Sequence, residues 1–156
     1  VEWSDYLVQF LSGFVVSIGF GIIYDIPKNN LFHSGLTGAV GWMISFVMIH
    51  LWDIHLFIST TAASFFVALI GQAFSRTLKT PVTLFIMPGL IPLVPGGVAF
   101  NMMRSFIGGD NAGGSQYAID TFLVAGALAL GLALNSAAFQ LFTTRNLFRR
   151  GRRYIP

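Results

Sequence analysis

The segment from Pro81 to Arg104 reads PVTLFIMPGLIPLVPGGVAFNMMR, and it limits the fold more than any other part of the chain. It is apolar enough to enter a bilayer, yet Pro88, Pro92 and Pro95 remove three backbone donors within eight residues. Gly89, Gly96 and Gly97 loosen the backbone beside them. An interior proline deletes a helical hydrogen bond and its ring clashes with the preceding turn, so a continuous helix is not expected here. Backbone left unpaired at membrane depth survives only where protein or a polar cavity satisfies it. Broken helices of this kind are how many transporters build a binding site near the midplane.

The rest of the chain supports a membrane setting. Of its 156 residues 54% are hydrophobic and only 10% charged, against roughly 25% charged in soluble domains. With no cysteine there is no disulfide framework and no thiolate metal site. A net charge of +3 raises the question of nucleic acid, but five arginines (145, 149, 150, 152 and 153) crowd the last twelve positions. That placement suits anionic headgroups at a membrane surface, so the expected partner is the lipid bilayer and not nucleic acid. No cleavable signal peptide is expected, because Glu2 and Asp5 precede the first apolar run where a positive start is required.

The hydropathy pattern predicts an all-α membrane protein with five transmembrane helices in one domain, the fourth broken by the proline-glycine motif. The spans cover residues 7–24, 32–52, 56–74, 81–107 and 117–142, followed by a basic tail over 143–156. Residues 25–30 read as a turn and 108–115 as a flexible loop. With the C-terminus inside, Lys28, Arg76, Lys79 and the five tail arginines fall on the cytoplasmic face, and only Arg104 on the other. The N-terminus is then outside. A re-entrant fourth segment would put the tail and the Arg76/Lys79 loop on opposite faces, which the charges oppose.

Three stripes at four-residue spacing mark helix contacts, within the chain or with a partner: Gly13, Ser17 and Gly21; Thr60, Ser64, Ala68 and Gln72; and Ala125, Ala129, Ala133 and Ala137, with Gly126 and Gly131 near the same side. Small residues let helix backbones approach closely. The Thr60–Gln72 stripe should face the bundle interior or an aqueous path, unless its hydroxyls simply bond back to their own helix.

No arrangement resembles an enzyme, and no cofactor is implied. There is no phosphate loop, no carboxylate pair and no nucleophile elbow. His50, Asp53 and His55 share a helix end, where an interfacial role explains them better than a metal. What remains is a binding site without bond chemistry. A half-helix starting at Gly96 and Gly97 would aim unpaired N–H groups and a positive dipole end at a carboxylate. Asn101 and Arg104 follow on the same half-helix, and arginine pairs naturally with carboxylates. Ser64 and Gln72, with Asn135, Ser136, Gln140 and Asp120, are candidates to complete the lining. Arg104 as an interfacial arginine reaching the headgroups is the alternative.

The run PGLIPLVPGG over residues 88–97, continuing into Asn101 and Arg104, resembles the C-terminal membrane half of the threonine/serine exporter family. More narrowly, it is similar to the split form in which that half is a separate small subunit. The resemblance implies an exporter of small carboxylate-bearing metabolites in a bacterial inner membrane, either a succinate-like dicarboxylate or threonine and serine. It also implies a larger companion subunit, and five spans in one chain make a homo-oligomer a further expectation. The competing reading is a non-transporting scaffold subunit whose kinked segment docks a partner. A passive channel is disfavoured because no ring of like charges or carbonyl filter is visible.

Overall fold

A computed structural model describes residues 3–151, with side chains to residue 141. The tail arginines therefore lie outside the described side chains. Among the described residues every regular element is helical: α1 Trp3–Ile23, α2 Lys28–Trp52, α3 Leu56–Leu78, α4 Thr83–Leu90, a 3-10 turn Ile91–Leu93, α5 Gly96–Ile107 and α6 Asn111–Gly151. Four of these helices are long and apolar enough to cross a membrane, and the bent pair α4–α5 makes a fifth if it counts as one span. The chain is a multi-pass membrane protein.

The helices outrun the apolar windows that announce them, because they end where polar residues cap them and not where hydropathy falls. Asp53 closes α2 and Lys79 closes α3, each in the left-handed region (φ 51° and 53°) with its N–H returned to Met48 and Ser75 carbonyls. Pro27 and His55 sit at the N-cap positions of α2 and α3. The segment 108–115, expected as a loop, is mostly helix. Gly109 turns the chain at φ 81°, and Asp110 Oδ1 then accepts the Gly113 N–H at 2.9 Å. That carboxylate is an N-cap, and it starts α6 at Asn111.

Packing inverts the soluble pattern. Large side chains such as Leu7, Val15, Ile22, Phe32 and Phe122 point outward. Small or hydroxylated ones fill the interior: Ser17, Ser34, Thr37, Ala39, Ser59, Ala63, Ser64 and Val67 are all 0% exposed. Helices α2 and α3 are the most buried, at 44% and 39% of their apolar windows against 17% for α1 and 22% for α6. Gly13, Ser17 and Gly21 of α1 lie buried at the α2 contact, as their spacing predicts. On α6 the face turned inward is Val124, Ala127, Gly131 and Asn135. The stripe Ala125, Ala129, Ala133 and Ala137 faces outward instead, so it is no seam within this chain.

Helices α3 and α6 run in the same direction. Gly131 meets Ser64, Asn135 meets Gln72 and Phe139 meets Arg76, so the register rises along both. Helix α5 lies antiparallel on the first part of α6, with Phe106 against Gly114.

Candidate functional site

The proline-glycine segment breaks in two steps. Pro88 is tolerated inside α4 and does not end it. The chain then tightens into the 3-10 turn around Pro92, and Val94 is extended (φ −67°, ψ 133°). Pro95 follows at φ −76°, ψ 49°, and Gly96 N–H returns to the Val94 carbonyl at 2.7 Å. This is an inverse γ-turn, whose central residue has a φ that proline already holds. Helix α5 starts directly after it, and the two halves meet at 48°.

The two halves of the motif have different surroundings. Pro88, Gly89 and Leu93 are buried in the bundle. A Cβ on Gly89 would come to 3.0 Å from the Thr37 methyl and 3.1 Å from Val67, so this glycine serves the close approach of α4 to α2 and α3. Gly96 and Gly97 are exposed, have no atom within 4 Å of an added Cβ, and have no left-handed φ. Neither packing within this chain nor backbone conformation requires glycine at either position.

The available amides also differ. Gly96 N–H is used in the γ-turn and Ala99 N–H reaches the Pro95 carbonyl at 2.9 Å. Gly97 and Val98, in the first turn of α5, take no backbone acceptor among the described residues. Of the two donors expected at Gly96 and Gly97, the first is used in the turn and the second is left. Gly97, Asn101 and Arg104 follow at spacings of four and three, which puts them on one helical face, and all three are exposed.

Ser64 and Gln72 belong to a different place, the α3–α6 seam. Ser64 Oγ donates to the Thr61 carbonyl at 3.0 Å, a bond within its own helix, and lies under Gly131. Gln72 Nε2 donates to Asn135 Oδ1 at 2.7 Å, and Asn135 Nδ2 donates to the Phe65 carbonyl at 3.2 Å. The Thr60–Gln72 stripe faces inward, as expected, and is used in packing α3 against α6. Arg76 continues it, with its guanidinium 4.2 Å from the Phe139 ring centre.

Among the remaining candidates, Asp120 accepts from Gln116 Nε2 at 3.3 Å, and Ser136 is exposed. His50 stacks on Phe46 at 4.1 Å, with Nδ1 3.0 Å from the Phe46 carbonyl. Among the described residues no group of three metal-ligating side chains could hold a metal. One side chain to which the sequence assigned no role is Gln9, whose Oε1 accepts from Trp42 Nε1 at 2.9 Å and joins α1 to α2. A lone glutamine inside an apolar run was the available signal.

No solved structure matches the chain. A Haemophilus influenzae relative, described as "Uncharacterized protein", is 23% identical over 141 residues, covering 85% of this chain and 47% of its own length. The chain thus spans about half the length of that curated relative. The family model described as "Threonine/Serine exporter, ThrE" matches residues 9–138. The chain belongs to the threonine/serine exporter family, a family of transporters.

Proposed function

We propose that this chain is one membrane half of a secondary exporter that moves small carboxylate-bearing metabolites, succinate-like dicarboxylates or threonine and serine, out across a bacterial inner membrane. In this reading α4 and α5 form one broken span. The parallel course of α3 and α6 supports it, because the chain must return to the far end of the bundle between them. The N-terminus is outside and the C-terminus cytoplasmic, an orientation supported by the excess of lysine and arginine on one side.

The observation that carries the proposal is the open start of α5. Two glycines stand where an added Cβ would meet nothing within 4 Å among the described residues, beside a Gly97 amide that takes no backbone acceptor there and in line with Asn101 and Arg104. Glycine there allows an external group to approach the backbone. A carboxylate suits both the helix N-terminus and the guanidinium. An exposed arginine on a half-helix in lipid is costly unless an acid, water or headgroup meets it. A larger companion, as the length of the curated relative suggests, would cover this face. The recognition site is then completed outside the chain, either by the companion or by a further copy of the chain.

The test is genetic and direct. Deleting the gene in its own host should raise intracellular succinate, threonine or serine under loading, and restoring the gene should return efflux to its original rate. Unchanged efflux of all three would refute the exporter reading. A second reading, a scaffold subunit, draws on the burial of Pro88, Gly89 and Leu93. It predicts loss of a partner from the membrane in the deletion, with no variant of the α5 face affecting efflux.

A further inference from the structure

His33 has no part in the site described above, yet it is a titratable side chain set inside the bundle. It sits in the second turn of α2, half-buried, and its Nδ1 is buried with no hydrogen-bond partner. The ring meets Phe74 of α3 edge-on, with centroids 4.9 Å apart and planes at 73°. Phe74 in turn lies 5.8 Å from Phe85, a fully buried side chain of α4. A second link runs through the backbone. The His33 carbonyl accepts from Thr37 Oγ1 at 2.8 Å, and the Thr37 methyl is what Gly89 of α4 packs against. His33 is thus connected twice to the buried half of the broken segment, once through its ring and once through its backbone carbonyl.

Histidine is the side chain whose charge ordinarily changes near neutral pH. A neutral imidazole has one donor and one acceptor nitrogen, whereas the imidazolium donates from both. Protonation would therefore place a charged N–H at Nδ1, where no acceptor stands. A buried, unpaired charged donor is strongly unfavourable, so the charged ring favours any arrangement that gives Nδ1 water or an acceptor. Thr80 Oγ1, in the α3–α4 connection, is also buried and partnerless. At the end of the bundle where His33 lies, the charged and titratable groups are Tyr24 and Asp25 just after α1, Lys28 in the first turn of α2, and Arg76 and Lys79 at the end of α3, while Asp5, Tyr6 and His50 lie at the opposite ends of α1 and α2. Helix α4 contributes none. Arg76 is turned toward Phe139 on α6, the side of α3 away from Phe74.

We propose that His33 is the proton-sensing positioning residue of the transport cycle, an inference that rests on the exporter reading. The neutral ring holds α4 against α2 and α3 through Phe74 and Phe85. Protonation frees that half of the broken span. The step is a proton transfer only: hydronium donates one proton to the ring, which becomes a cation and leaves a water, and water accepts the proton back as hydronium when the ring returns to its packed position. A proton shifts this equilibrium by as much as it binds the two arrangements differently.

The chain has no cysteine, so a nitroxide on Met87→Cys, on the exposed side of α4, reports on one place only. The full chain in lipid nanodiscs is titrated between about pH 8 and 5, with Val15→Cys on α1 as the reference label. The Met87→Cys spectrum should shift reversibly from an immobilised to a mobile component toward acid, and the Val15→Cys spectrum should not. The shift should be lost in His33→Gln and in His33→Phe, the latter keeping a ring over Phe74 without the titrating nitrogen. A flat Met87→Cys titration, or the same shift in His33→Phe, overturns the assignment. A His33-dependent shift in a chain that supports no solute efflux would uphold the sensor and remove the exporter reading.

Discussion

Gln72 Nε2 and Asn135 Oδ1 stand 2.7 Å apart, in a hydrogen bond that ties α3 to α6. Asn135 is 2% exposed and spends its own donor on the Phe65 carbonyl, so the amide has partners on both sides. A double-mutant cycle of Gln72→Leu and Asn135→Leu, read by reversible unfolding in mixed micelles, should give a coupling of about 0.6–2 kcal/mol. Coupling near zero would mean that apolar packing alone sets the α3–α6 register.

Gly131 and Gly126 lie on the same helix and should respond oppositely to an added methyl. At Gly131 a Cβ would collide with Ser64 Oγ and the Thr61 carbonyl, while at Gly126 it would meet nothing within 4 Å. Gly131→Ala should lose about 1–3 kcal/mol by overpacking. Gly126→Ala should be neutral or gain up to about 1 kcal/mol from helix propensity. Equal unfolding midpoints for the two variants would contradict the seam.

Single cysteines can map the orientation without background, because the chain contains none. Asn111→Cys, at the start of α6, should react with an impermeant maleimide in intact cells. Lys79→Cys, at the α3–α4 connection, and a cysteine placed after Ile155 should react only in inverted vesicles. Labelling of Lys79→Cys from outside would reverse the proposed orientation.

The helices and the break were legible in the sequence for a physical reason. Hydropathy reports transfer into lipid, and Pro95 followed by two glycines disfavours a continuous ladder more strongly than a lone proline does. The start of α5 at Gly96 was therefore readable to within about a residue. Pro88 was not, because a proline's effect depends on how far neighbouring helices accommodate the lost bond, and here α4 continues through it. The role of Gln72 was half legible: its stripe had to face inward, but a partner 63 residues away in sequence cannot be read from spacing. For the Ala125–Ala137 stripe, composition identified a smooth face but could not choose between two neighbouring faces of α6, and Gly131 with Asn135 took the seam. At Asp110 a loop composition concealed an N-cap, because the capping carboxylate follows two glycines.

The most direct test of the central claim is the initial export rate of succinate and of threonine from the native host, for wild type and for Gly97→Val, Gly126→Val and Arg104→Gln, each first shown to insert in the membrane. If the α5 start receives a carboxylate, Gly97→Val abolishes export of both solutes while Gly126→Val stays near wild type. Arg104→Gln should slow the dianion about ten- to a hundredfold, as expected for losing a charge-assisted hydrogen bond of roughly 1.5–3 kcal/mol, and slow threonine less. Wild-type export by Gly97→Val, with equal rates for both solutes in Arg104→Gln, would contradict a binding site on this face.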